Sequence, residues 1–120
     1  MKWWNDLWLN ESFATYMSYL VMTQSPELTK YRGAWIDFMG RKFEGINADV
    51  LNTTHPVVNN IQSVSEAESV FNGISYGKGA SFLKQAHKVL GLETMKKALH
   101  VYFQKYKWTN TEFADFINAL

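Results

Sequence analysis

Apolar residues recur at spacings of three and four along almost the whole chain, a period that admits helices and little else. Ala80, Leu83, Ala86 and Leu90 form one stripe, and Met95, Ala98, Leu99, Tyr102, Phe103 and Tyr106 form the next, with Gly91 as a stop between them. Near the start, Phe13, Tyr16, Met17, Leu20 and Val21 share one face of a helix entered through Asn10 or Ser12. Ser25-Pro26-Glu27 reads as a second helix start, with Ser as cap and Pro preset for the first turn. Leu28, Tyr31, Trp35, Phe38 and Met39 carry that helix to about Phe43. Asn47 to Asn60 holds turn formers and the His55-Pro56 step, which predicts an extended loop. Ser65-Glu66-Ala67-Glu68 predicts a short capped helix. Thr109 with Glu112 forms a candidate capping box ahead of a last helix carrying Phe113, Phe116, Ile117 and Leu120. The expected fold is an all-α helical bundle in one domain, with no internal repeat or linker.

Composition narrows the function classes. With 120 residues, 47% hydrophobic and 16% aromatic, the chain has enough apolar surface for one core. No apolar run approaches the length of a membrane span. The absence of cysteine removes disulfides and leans toward a reducing, cytoplasmic compartment. Lys78 to Lys107 holds seven basic residues against the single acid Glu93, an asymmetry that raises nucleic-acid binding as a rival. Those lysines interleave with apolar stripes as solvated helix faces do, and little arginine is present to fork onto phosphate, so no nucleic-acid partner is expected. His87 and His100 fall among lysines on helices and read as solvated surface residues.

Two blocks carry chemistry. Trp3-Trp4-Asn5-Asp6-Leu7-Trp8-Leu9-Asn10-Glu11-Ser12-Phe13-Ala14 contains one carboxylate, Glu11, which on its own reads as an acid complementing a helix start. Downstream lies Phe71-Asn72-Gly73-Ile74-Ser75-Tyr76-Gly77-Lys78-Gly79-Ala80, a tyrosine among glycines. The first block resembles the segment that follows HExxH in the gluzincin zinc aminopeptidases, the aminopeptidase N and puromycin-sensitive aminopeptidase type. The second resembles that family's F-(D/N)-x-I-(S/T)-Y-x-K-G-(A/S) stretch. Between them, His55-Pro56-Val57 is similar to the family's THPV element and Val64 to Phe71 to its acidic approach to the tyrosine, so the resemblance spans essentially the whole chain. Ser12 departs from the glycine most relatives are expected to carry.

The resemblance implies the C-terminal helical lobe of a thermolysin-like catalytic domain. It implies that Glu11 is the third zinc ligand, beside the two histidines of HExxH, and that Tyr76 donates a hydrogen bond to the oxyanion of the tetrahedral intermediate. Lys78 receives no catalytic role. The family spacing places about eighteen residues between the second histidine and the glutamate, whereas ten precede Glu11 here, so HExxH is not in this sequence. The GxMEN motif that grips a substrate's amino terminus is absent as well. The expected activity is therefore that of an intact parent, a zinc aminopeptidase acting on peptides. The isolated chain is expected to be inactive, to bind no zinc tightly, and to need the remainder of the catalytic domain as its partner. Trp3, Trp4 and Trp8 are expected to lie bare without that partner and to drive self-association. The alternatives are a helical interaction module and a homologue that has lost the zinc site.

Overall fold

A computed structural model describes all 120 residues and contains six α-helices and no strand. Helix α1 spans Leu7–Gln24 and follows a single 3-10 turn over Trp4–Asp6. It thus begins before the expected entry at Asn10 or Ser12, because Leu7 and Trp8 are themselves buried and extend the inward stripe backwards. That stripe is Trp8, Ser12, Tyr16 and Leu20, whereas Val21, expected within it, is 50% exposed. Glu11 consequently occupies the second turn. The pull of the helix dipole, which fades beyond the first turn, no longer accounts for it.

The helix expected from Ser25 to Phe43 is divided. Pro26–Tyr31 forms a 3-10 segment in which Leu28 leaves helical angles, and Ser25 bonds the Glu27 carboxylate at 2.5 Å instead of capping the backbone. Helix α2 then runs Ala34–Asp49, past the expected end. A loop over residues 50–63 leads to α3, Val64–Ser69, where the Ser63 hydroxyl accepts the Glu66 amide. Residues 73–90 form one helical run whose early part, Ile74–Lys78, is wound as a π-helix and whose remainder is α4, Gly79–Leu90. Gly91 closes α4 with φ 81°, a conformation glycine takes without strain. Helix α5 spans Leu92–Tyr106 and α6 spans Phe113–Ile117. The capping box of α6 is formed by Glu112 and Asp115, not Thr109 and Glu112, because the Thr109 hydroxyl donates to the Tyr106 carbonyl at the end of α5.

The main core joins α1, α2, α4 and α6 through Tyr16, Leu20, Phe38, Ala80, Leu83 and Phe116. Ring edges do much of the packing: Phe38 meets Tyr19 at 5.2 Å and Trp35 at 5.4 Å between centroids, and Phe116 meets Phe13 at 6.0 Å. A second cluster of Leu7, Ile61, Ala67 and Val70 ties the chain start to the loop and α3.

Two of the three tryptophans, Trp4 and Trp8, depart from expectation, whereas Trp3 stays exposed. Trp8 is 3% exposed, wedged edge-on against Phe82 and Phe113, and its buried indole N–H finds no acceptor. Trp4 packs on the second cluster and Phe71, and the half-exposed Trp3 donates to the Ile61 carbonyl at 2.7 Å. A longer bare stripe runs along α2 and its cap, where Ile36, Met39, Phe43, Ile46 and Val50 face outward.

Candidate functional site

The placement of Tyr76 begins with glycines. Gly73 and Gly77 lie one turn apart and press directly on the backbone of α2. A Cβ on Gly77 would stand 1.9 Å from the Arg41 carbonyl oxygen, and one on Gly73 would stand 2.3 Å from that of Glu44. Gly45 answers from α2, where a Cβ would fall 2.7 Å from the Lys78 nitrogen. Gly79 faces the other way, toward the Ser12 hydroxyl and the Trp8 ring. The tyrosine block is thus clasped between α1 and α2 with almost no side chain in the gap. The close approach these glycines permit is to helix backbone.

Hydroxyls satisfy the carbonyls around the widened turn. Ser12, fully buried, donates to the Ser75 carbonyl at 2.5 Å; Ser75 donates to the Val70 carbonyl at 2.6 Å, and Ser81 to that of Gly77 at 2.8 Å. The departure from glycine at Ser12 therefore adds a bond between α1 and the π-turn. Single π-turns inside helices occur frequently at functional positions.

Asn72 governs entry to the turn. Its side-chain oxygen accepts the Ile74 amide at 2.9 Å and its backbone carbonyl accepts the Tyr76 amide at 3.2 Å. Lys78, on the far side of the turn, grips both carboxylate oxygens of Asp49 at 2.8 Å, an anchoring contact to the end of α2.

Glu11 and Tyr76, remote in sequence, come together. Burial first, and then the nearby Glu11 carboxylate, push the Tyr76 phenol above its ordinary range, with Arg41 acting in the opposite sense. Tyr76 therefore keeps its proton throughout the neutral range and stands as a hydrogen-bond donor. Beside it opens a cleft of about 490 Å³ lined in part by Thr15, Tyr19, Arg41, Glu44 and Asn72. Arg41 pairs with Glu44 at 2.9 Å. Sequence reasoning missed Arg41, whose one visible signal was that acid three residues later on the same helix.

The donor set at Glu11 is a single half-buried carboxylate, and no group of three or more His, Cys, Asp or Glu side chains converges anywhere in the chain. Oxygen from such a group suits zinc, and two further ligands would have to come from other polypeptide. The histidines stand apart from it. His55 bonds Asn72, His100 is exposed on α5, and His87 is half-buried with its Nδ1 bonded to the Tyr16 phenol, contrary to the expectation of a solvated residue.

Comparison with known proteins covers the same ground from outside. The model of the peptidase family M1 domain matches residues 1–120. The chain is 44% identical over 121 residues to a probable aminopeptidase 2 of Sulfurisphaera tokodaii, all of the chain aligning with 15% of that protein. It is 39% identical to an aminopeptidase N of Streptomyces lividans and 35% identical to the endoplasmic reticulum aminopeptidase 1 of Mus musculus, in each case along its full length. In those two relatives it spans 14% and 13% of the length. The two motif blocks, the all-helical fold that brings Glu11 to Tyr76 and these similarities agree: the chain belongs to peptidase family M1.

Proposed function

We propose that this chain is the helical part of the catalytic domain of a zinc-dependent aminopeptidase that releases amino-terminal residues from peptides. The observation that carries the reading is the pairing of Glu11 with a protonated Tyr76 at the edge of a cleft. In it, Glu11 supplies one carboxylate oxygen to zinc, and the two histidines of HExxH complete the set from outside this sequence. Zinc, when bound, supplies Lewis-acid polarisation of the scissile carbonyl and lowers the pKa of water. Tyr76 directs its O–H at the oxygen that becomes negative in the transition state. Because the phenol is held protonated, that donation costs no proton rearrangement at neutral pH.

The bare stripe on α2 supports the remainder of the catalytic domain as this chain's partner. Without that partner the chain is expected to self-associate through α2, and light scattering of Ile36→Lys with Phe43→Lys should then show a monomer. The isolated chain is expected to hold no zinc tightly and to turn over no substrate.

The test is made in a full-length protein containing HExxH. Tyr76→Phe should lower kcat by about 10²- to 10³-fold with zinc content intact, since one oxyanion donor is removed. Glu11→Ala should lose both zinc and activity. A Tyr76→Phe protein that turns over normally would defeat the reading.

A further inference from the structure

Beyond the two residues that meet substrate or metal, the structure contains a device that aims one of them. The π-turn is entered through Asn72, whose side-chain oxygen accepts the Ile74 amide at 2.9 Å and whose side-chain nitrogen donates to His55 Nε2 at 2.7 Å. His55 Nδ1 lies 2.8 Å from the Pro56 carbonyl, a partner that can only accept. The Asn59 amide also reaches Nδ1, at 3.0 Å, so the ring is held by its own loop on one edge and faces Asn72 with the other. Both ends of the Asn72 amide are thus fixed by opposite requirements. A flip would turn its NH2 onto the Ile74 N–H, donor against donor.

We propose that His55 is a positioning residue for Tyr76, acting through Asn72 to hold the first turn of the π-helix in the orientation that presents the phenol beside Glu11. The inference rests on the aminopeptidase reading for its catalytic consequence but on geometry alone for the clamp. Half-buried His55 sits in the loop between α2 and α3, and that loop is bound to the tyrosine block a second time, where Thr54 and Lys78 share the Asp49 carboxylate. The charged groups facing His55 are Asp49 of α2, with Lys78 bound to it, and Glu66 of α3, which accepts the Gln62 amide.

The experiment uses the full-length enzyme with His55→Ala and His55→Gln. Gln offers an oxygen to the Asn72 amide. His55→Ala should lower kcat about tenfold, the worth of one lost bond of this kind, while KM stays within about twofold. His55→Gln should restore most of kcat at neutral pH. Hydrogen exchange of the amides from Asn72 to Lys78 should quicken in His55→Ala and not in His55→Gln. Equal losses in the two variants, a loss carried by KM, or unchanged exchange in His55→Ala would overturn the proposal. If the wild-type enzyme releases no amino-terminal residues, the aminopeptidase reading fails while the exchange measurement still decides the clamp.

Discussion

Two of the places where helices meet in this molecule are held by opposite means. At the main core, Tyr16, Phe38, Leu83 and Phe116 fill the space between helices with large side chains whose ring edges interlock. At the tyrosine block, Gly45, Gly73 and Gly77 empty the space, and backbone lies on backbone with Ser12 supplying a hydrogen bond from α1. The first kind of contact gains stability from apolar area and can relax by changing rotamers. The second offers no rotamer to change. It therefore serves to fix a position, which is what the role proposed for Tyr76 requires.

The comparison can be broken by substitutions of graded effect, read by urea unfolding. Phe38→Ala should cost most, about 3–5 kcal/mol, as a large buried ring is replaced by a cavity, whereas Phe38→Leu should cost less than about 1.5 kcal/mol if the core relaxes. Gly77→Ala adds one methyl, yet it should cost about 3 kcal/mol, at the top of the overpacking range, because a carbonyl oxygen at 1.9 Å must move with its helix. A Gly77→Ala protein as stable as the parent would remove the distinction drawn here.

Next comes pH. Burial pushes the Tyr16 phenol up to about 12 from an ordinary value of 10.0. Below pH 10 folded and unfolded phenols are both protonated. Between 10 and 12 only the unfolded one ionises, so folding stability falls as pH rises, by roughly 2–3 kcal/mol over that window. Tyr16→Phe should flatten that slope in alkaline unfolding curves. The smallest effect belongs to Ser12→Ala, about 1 kcal/mol for the bond to the Ser75 carbonyl. A larger loss would show that the hydroxyl holds the π-turn itself and not only the join to α1.

The helices were legible because burial repeats with their period: the stripes from Ala80 to Leu90 and from Met95 to Tyr106 became α4 and α5. Glu11 and Tyr76 were legible as parts of two motif blocks, and the fold brings them together. What local pattern could not show depends on contacts between distant segments. Leu7 and Trp8 start α1 early because Ile61, Val70 and Phe113 wait to cover them. Glu112 replaces Thr109 in the capping box because Thr109 is occupied by Tyr106. His87 leaves solvent for Tyr16, and Asn72 finds its partner in the loop before α3, neither pairing being written in neighbouring residues. The π-winding has no local signature either, since it accompanies glycines whose reason for being small lies on α2.

That winding has a consequence for how the site tolerates change in length. A π-turn amounts to one extra residue inside a helix, and the run from Gly73 to Leu90 is otherwise continuous. Deleting one residue there would let the segment rewind as plain α-helix with the flanking residues, Leu83 and Asn72 among them, keeping their phase, so that only the residues inside the turn shift. Tyr76 would then swing away from Glu11 while the bundle stayed intact. The separation between a folded relative and a competent one can thus be a single codon.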